Sequence, residues 1–119
     1  DSFIWTYNNN PNVLKNPEMY GWVKTKANSK EVEFVSCKKP ISNKLLTDHI
    51  VSGTFTFKKS YLFFEAIKKM ILKNDRVNGE FYIDNVFNHL THKSSTFKVE
   101  KYHSWGTPTE LKSYLNEKI

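Results

Sequence analysis

The chain is poor in cysteine and arginine, with one of each among its 119 residues, Cys37 and Arg76. A single cysteine excludes both an intrachain disulfide and a zinc site built from cysteines, so we expect Cys37 to be a buried or incidental thiol. No apolar run approaches membrane-spanning length, and no signal-peptide pattern opens the chain. We therefore predict a cytoplasmic protein without a membrane partner.

Glycine is scarce as well, and the four that occur are isolated from one another: Gly21, Gly53, Gly79 and Gly106. A phosphate-binding loop needs several glycines within a few residues, because its backbone N–H groups must approach the phosphate closely. The sequence therefore contains no glycine-rich phosphate cradle. Gly53 falls within a predicted strand, where an isolated glycine marks a bulge or the close approach of a ligand or another backbone.

Basic residues outnumber acidic residues by 18 to 12, which gives a formal net charge of +6. All but one of the basic residues are lysines, whose point charges suit the phosphates of a small ligand or of nucleic acid. The lysines are scattered along the chain, and no recognised nucleic-acid-binding motif is present. A basic nucleic-acid-binding domain therefore stays an alternative interpretation, and no nucleic-acid partner is predicted.

Apolar residues make up 39% of the chain and aromatic residues 15%, which is enough for a hydrophobic core. Alternation with β-branched residues predicts strands, and apolar positions at helical spacing predict helices. The predicted strands are 1–7, 20–25, 31–37, 50–57 and 96–103, and the predicted helices are 61–73, 79–90 and 108–117. The fold class is therefore α/β, a mixed β-sheet with a β-hairpin and about three helices.

Two of the predicted helices carry capping signals. Ser60 is expected to be the N-cap of the helix over 61–73. Thr107, Pro108 and Glu110 combine an N-cap, a proline at the first helical position and a capping-box glutamate. The last helix is therefore expected to begin at Pro108.

The helix predicted to begin at Gly79 has an apolar stripe with a polar edge. The stripe consists of Ile83, Val86, Phe87 and Leu90, and the edge consists of Glu80, Asp84 and Asn88. Positions four apart lie on one side of a helix, so the two carboxylates and the amide line the rim of the buried face. Such a rim is either the solvated edge of an amphipathic helix or the wall of a cleft that binds hydroxyls or a metal.

Five stretches in the order and spacing found here resemble the sugar-phosphate nucleotidyltransferases, the nucleoside-diphosphate-sugar pyrophosphorylases. They are Tyr20–Val23, Lys39–Ser42, Asp48–Phe57, Asn78–Asp84, and Trp105–Pro108 with Leu111. The resemblance implies a Rossmann-like α/β domain with a nucleotide-binding half and a sugar-phosphate-binding half. The motifs of the first half are not found here. We therefore expect residues 1–119 to be the C-terminal, later half of a single nucleotidyltransferase domain.

The resemblance also implies roles for individual residues. Lys39 matches the catalytic lysine that contacts the sugar phosphate, and Gly21 matches a glycine whose backbone contacts the sugar. Glu80 matches an acid that hydrogen-bonds sugar hydroxyls, with Tyr82 and Asp84 at neighbouring sugar-contacting positions. The implied reaction joins a sugar-1-phosphate to an NTP and yields a nucleotide sugar and pyrophosphate. Members that serve surface or capsular polysaccharides resemble this chain most.

The chain departs from the family pattern at two positions. Lys38 stands where the family has a glutamate before the lysine, which puts one sugar contact in doubt. Ser104 stands where many members have an aspartate that binds magnesium, and serine is a poor magnesium ligand. The resemblance implies Mg²⁺ as cofactor, with Asp84 as a weak candidate ligand in place of position 104.

Two further expectations follow from the incomplete resemblance. Without its nucleotide-binding half, the chain is either the sugar-phosphate-binding part of an enzyme or a non-catalytic module that binds sugar phosphates or nucleotide sugars. A half-domain is also expected to expose a strand edge, at residues 1–7 or 50–57, through which copies of the chain self-associate.

Overall fold

The computed structural model describes residues 1–118 and has a five-stranded sheet with helices after the fourth and fifth strands. The strands are β1 (Ser2–Tyr7), β2 (Gly21–Thr25), β3 (Val32–Cys37), β4 (His49–Thr56) and β5 (Ser94–Lys98). The α-helices are α1 (Ser60–Leu72) and α2 (Pro108–Lys118), and three 3₁₀ helices cover Pro11–Leu14, Pro17–Met19 and Asp84–His89. The predicted mixed α/β fold is confirmed. Within the described residues, no helix is long and apolar enough to cross a membrane.

The strand order is β3-β2-β4-β1-β5, in which β1 and β5 are parallel and the other neighbours are antiparallel. The predicted hairpin is present, since β2 pairs with β3 in a register that sets Trp22 opposite Ser36. The proposed location of an exposed edge is wrong. β1 pairs with both β4 and β5, and β4 pairs with both β1 and β2, so β3 and β5 form the edges of this sheet. The apolar residues on both faces of β1 are those of an interior strand.

A bulge at Gly53 bends β4, as the isolated glycine predicts. Ile4 pairs with Phe55 and Thr6 pairs with Val51, so one residue of β1 lies opposite three residues of β4. Gly53 has a φ of +99°, a conformation that residues with a Cβ adopt rarely. Gly53 at the bulge is among the residues that line the cavity described below.

Both faces of the sheet are buried, by different elements. On one face the 3₁₀ helix Asp84–His89 packs against β3 and α1 packs on that 3₁₀ helix, and the buried side chains are Ile4, Val23, Val35, Ala66, Met70, Val86 and Phe87. On the other face the buried cluster is Tyr7, Val13, Trp22 and Ile50. The indole N–H of Trp22 donates to Pro17 O (3.0 Å), which fixes the loop before β2 against the sheet.

The predicted cap of α1 is wrong by one residue. The helix already includes Ser60, and its N-cap is Lys59, whose side chain forms no capping hydrogen bond. The helix ends at Leu72, and Asn74 follows with a φ of +51°, the left-handed conformation that often terminates helices.

The helix predicted from Gly79 begins only at Asp84, and it is a 3₁₀ helix. Residues 77–80 form a tight turn instead, with backbone hydrogen bonds from Val77 N to Glu80 O (2.8 Å) and from Glu80 N to Val77 O (3.0 Å). The turn residues Asn78 and Gly79 both have positive φ, at +52° and +81°. Asn-Gly is the preferred pair for such a turn, and this local preference prevails over the helical spacing of the apolar residues.

The last predicted strand is displaced and the last helix is correct. β5 ends at Lys98, and Tyr102 leaves the sheet to stack on Tyr7 with ring centroids 3.9 Å apart. α2 begins at Pro108, where the backbone N–H of Glu110 donates to Thr107 Oγ1 (3.1 Å), so Thr107 acts as the predicted cap.

Candidate functional site

A cavity of about 450 Å³ lies where five separate parts of the chain meet. Gly21 contributes from the start of β2, Gly53 from the bulge of β4, and Lys38 from the end of β3. Asp84 contributes from the start of the 3₁₀ helix, and Gly106 from the loop before α2. Of the predicted site residues, the cavity thus brings Gly21 and Asp84 together.

Gly21 and Asp84 are in direct contact across the floor of this cavity. A Cβ placed on Gly21 would collide with Asp84 Oδ2 and would lie 3.1 Å from Val51 Cγ2. The absence of a side chain at position 21 therefore lets the Asp84 carboxylate lie against the backbone of β2. Asp84, one of the three residues of the predicted polar edge, therefore lies at the cavity.

Asp84 also accepts a hydrogen bond from the thiol of Cys37. Burial raises the pKa of Cys37, and the charge of Asp84 and its hydrogen bond raise that pKa further. Cys37 is consequently a protonated donor at neutral pH, which orients one carboxylate oxygen of Asp84. The expectation of a buried rather than a reactive thiol agrees with this environment.

A second carboxylate, Glu110, lines the cavity beside Asp84 and is surrounded by hydroxyls. Its Oε2 accepts from Ser104 Oγ (2.5 Å) and from the Tyr20 hydroxyl (3.4 Å), and its Oε1 accepts from Thr107 Oγ1 (3.1 Å). Burial and the charge of Glu110 raise the pKa of Tyr20, so the phenol stays a donor. Glu110 therefore connects β2, the loop before α2 and the first turn of α2.

The predicted catalytic lysine and its neighbour are placed differently. Lys39 is exposed and is not among the residues that line the cavity. Lys38 lines it: its Nζ donates to Met19 O (3.0 Å) and lies 5.4 Å from the centroid of the Tyr82 ring. The turn at the end of β3 therefore directs the first of the two lysines into the cavity.

The two other predicted sugar-contacting residues pair with each other at the edge of the site. The Tyr82 hydroxyl donates to Glu80 Oε2 (2.7 Å), and this hydrogen bond is the main reason that the pKa of Tyr82 is raised. Glu80 is exposed and does not line the cavity. Tyr82 does not line the cavity either, but its ring contacts the ammonium group of Lys38, which does. Asn88, the last member of the predicted polar edge, instead bonds the backbone of Val35 through both ends of its amide (2.8 and 2.7 Å).

A second and larger cavity, of about 690 Å³, adjoins the first. The stacked rings of Tyr7 and Tyr102 line both cavities, as do Ser104 and Glu110. The larger cavity follows the ends of the parallel strands β1 and β5, where Asn10 and Lys101 belong to its wall. Open α/β sheets commonly bind ligands beyond the carboxyl ends of parallel strands.

The magnesium ion that the resemblance implies would need oxygen ligands from the described residues. Ser104 lies at the position the resemblance assigns to a ligand, but its hydroxyl donates to Glu110. Among residues 1–118, no three His, Cys, Asp or Glu side chains come together in a way that could hold a metal. The protein side chains therefore do not form a magnesium site by themselves, and Asp84 as a metal ligand stays a prediction.

The sequence analysis did not identify Glu110 and Lys38 as residues of this site. Glu110 was predicted only as a helix cap, although its place in the sequence beside Gly106 and Thr107 is a signal that it lies near the cavity. Lys38 was taken only as a departure from the family pattern. Its position in the cavity depends on a φ of +61°, which no residue-type preference predicts for a lysine.

Among solved structures, the chain is similar to the crystal structure of the nucleoside-diphosphate-sugar pyrophosphorylase from Vibrio cholerae RC9, with a TM-score of 0.72 and 19% sequence identity. The match covers 98% of this chain and 46% of the pyrophosphorylase chain, so this chain spans about half of its length. At this identity the similarity establishes the fold. No protein-family model and no curated protein matches the sequence.

Proposed function

We propose that this chain is the sugar-phosphate-binding part of a nucleotidyltransferase that joins a sugar-1-phosphate to an NTP. One observation carries the proposal: Gly21, Asp84 and Gly106, from three of the stretches that resemble the family, line one cavity. A fold similar to a pyrophosphorylase over nearly the whole chain supports it. We also propose that this protein takes part in surface or capsular polysaccharide synthesis and is located in the cytoplasm.

The cavity suits a ligand with several hydroxyls. Asp84 is a carboxylate that can accept hydrogen bonds from a pair of neighbouring hydroxyls, and Glu110, which already accepts from Ser104, Tyr20 and Thr107, can accept one more at Oε1. Gly21 lets the Asp84 carboxylate lie against the backbone of β2, and lysine at the end of β3 supplies positive charge for a phosphate. Glu80 and Tyr82, as a hydrogen-bonded pair, would contribute to the choice of sugar from the edge of the site.

In the proposed reaction an oxygen of the sugar-1-phosphate attacks the α-phosphorus of the nucleotide in line with the departing pyrophosphate. Such catalysis consists mainly of alignment and charge neutralisation. In this chain the carboxylates would hold the sugar and a lysine at the end of β3 would orient its phosphate, a role that the resemblance assigns to Lys39. Magnesium, when bound with the substrates, would neutralise phosphate charge, with Asp84 as its one proposed protein ligand.

The second candidate function is a binding module without transferase activity. It is favoured by the serine at position 104 and by the absence of a metal-binding cluster among residues 1–118. Self-association of this chain also remains a proposal, through the outer strands β3 or β5, whose edges are partly covered by Asn88 at Val35 and by the bridge between Glu31 and Ser95.

The proposal is tested by ligand-observed NMR of this chain with sugar-1-phosphates, nucleotide sugars and free nucleotides, with and without magnesium. We expect sugar phosphates to bind and free nucleotides not to bind. Asp84→Asn should abolish that binding, whereas Asp48→Asn, at a carboxylate bonded to Ser42 outside the cavity, should preserve it. Absence of binding by every sugar compound, or equal binding by both variants, would contradict a sugar-phosphate site in this cavity.

A further inference from the structure

The cavity contains two negative side chains and one positive side chain. Asp84 and Glu110 supply the carboxylates, and Lys38 is the one basic residue among those that line it. A phosphate placed beside either carboxylate would be repelled, because like charges at short distance in a partly buried site interact strongly. The anionic end of a ligand must therefore lie toward Lys38.

The backbone at the end of β3 holds Lys38 in this place. Its N–H donates to Tyr20 O (3.0 Å), which continues the pairing with the residue before β2. Its φ of +61° is disfavoured for a residue with a Cβ. Lysine has no intrinsic advantage over glycine or asparagine in this conformation, so its side chain needs another reason, and such backbone outliers cluster at functional sites.

The ammonium group of Lys38 is positioned by neutral groups and keeps its charge available. Met19 O accepts one of its three N–H donors (3.0 Å), and the Tyr82 ring lies at 5.4 Å, within the distance of a cation–π contact. Among residues 1–118, the salt bridges are Lys26–Glu31, Lys93–Glu31 and His89–Asp75, so no carboxylate forms a salt bridge with Lys38. An ammonium group without a salt-bridge partner on a cavity wall is suited to an anion.

We propose that Lys38, rather than Lys39, binds the phosphate group of the ligand in this cavity. The inference rests on the proposed sugar-phosphate site and specifies how the ligand lies in it. The phosphate accepts from the remaining donors of the Lys38 ammonium, and the sugar hydroxyls point toward Asp84 and Glu110. Tyr82, beneath the ammonium, is then a positioning residue for Lys38 rather than a direct ligand of the phosphate.

The test uses inorganic phosphate and glucose 1-phosphate, titrated into the full chain at constant ionic strength and followed by the NMR signals of the lysine side chains. We expect both probes to shift the Lys38 signal more than the Lys39 signal. Lys38→Gly should weaken binding of both probes by about tenfold or more, because a charge-assisted hydrogen bond is lost. Lys39→Gly, which tests the alternative assignment of the phosphate to Lys39, should change affinity less than about twofold.

We expect the Lys38→Gly variant to stay folded, because glycine adopts positive φ without a steric cost. Its melting temperature should equal or exceed that of the original chain, which separates loss of binding from loss of structure. A larger Lys39 shift, a loss of affinity confined to Lys39→Gly, or no shift at either lysine would overturn the assignment. If phosphate shifts Lys38 but glucose 1-phosphate and other sugar phosphates bind no better than phosphate, the assignment holds and the proposed sugar site is wrong.

Discussion

Gly21 and Asp84 lie so close together that no residue with a side chain fits at position 21 without moving the carboxylate. One belongs to the first position of β2 and the other to the start of a 3₁₀ helix 63 residues later in the chain. Their contact fixes the carboxylate against a sheet strand, while Cys37 donates to it from the neighbouring strand. The geometry of the cavity therefore depends on a glycine as much as on the acid.

Gly21→Ala should displace the Asp84 carboxylate. The new methyl group would also press on Val51 Cγ2, so we expect the free energy of unfolding to fall by about 1 kcal/mol. Gly106→Ala is the matched control, because a Cβ there finds Glu110 Oε1 at 3.9 Å, an ordinary contact. Urea unfolding of both variants measures the difference. Equal stability of the two alanine variants would show that Gly21 and Asp84 are less tightly packed than described.

Cys37 should react slowly with iodoacetamide at neutral pH, and Asp84→Asn should make it react several-fold faster. The negative charge of Asp84 adds to burial in raising the pKa of the thiol, and only the thiolate is the nucleophile. The increase is partial, since burial is the larger cause and is retained in the variant. Alkylation rates measured between pH 7 and 9 test this. Gly21→Ala should raise the rate as well, and an unchanged rate in Asp84→Asn would contradict the hydrogen bond.

Glu110→Ala should destabilise the chain by about 1–2 kcal/mol, because the hydroxyls of Ser104, Tyr20 and Thr107 would lose a shared acceptor. Lys112→Ala, at an exposed position on the same helix, should change stability by less than about 0.5 kcal/mol. Chemical denaturation gives both values. If Glu110→Ala were as mild as Lys112→Ala, the hydroxyl cluster would contribute nothing to joining α2 to the sheet.

Stability should decrease between pH 7.5 and pH 5. Burial is the main cause that lowers the pKa of both His49 and His92. Nearby positive charge is the next cause, from Lys98 at His49 and from the N-terminal amine and Lys58 at His92. The unfolded chain then takes up protons first, near pH 6.5, so stability is complete above that value and declines as pH falls through the lower folded pKa. Thermal melting should show a smaller decline in His49→Asn and His92→Asn. His103→Asn, at an exposed position, should retain the full decline, and a pH-independent melting temperature would contradict the burial of these histidines.

Local sequence patterns predicted much of the fold. The hairpin, the bulge at Gly53 and the start of α2 at Pro108 all follow from turn, glycine and capping preferences that act over a few residues. The region after α1 was predicted less well, because the apolar spacing of a helix competed with the Asn78-Gly79 turn signal. The turn prevailed, since two residues with positive φ cannot belong to a right-handed helix.

The sequence by itself determined the α/β class and most of the strands, and it predicted Gly21 and Asp84, which the fold brings to one cavity. Only the tertiary structure decided which strands lie inside the sheet, since pairing between β1 and β5 joins residues some ninety positions apart. It also decided that Lys38 rather than Lys39 faces the cavity. That choice depends on one backbone dihedral at the end of β3, and a side chain's direction cannot be read from residue type when two identical residues follow one another.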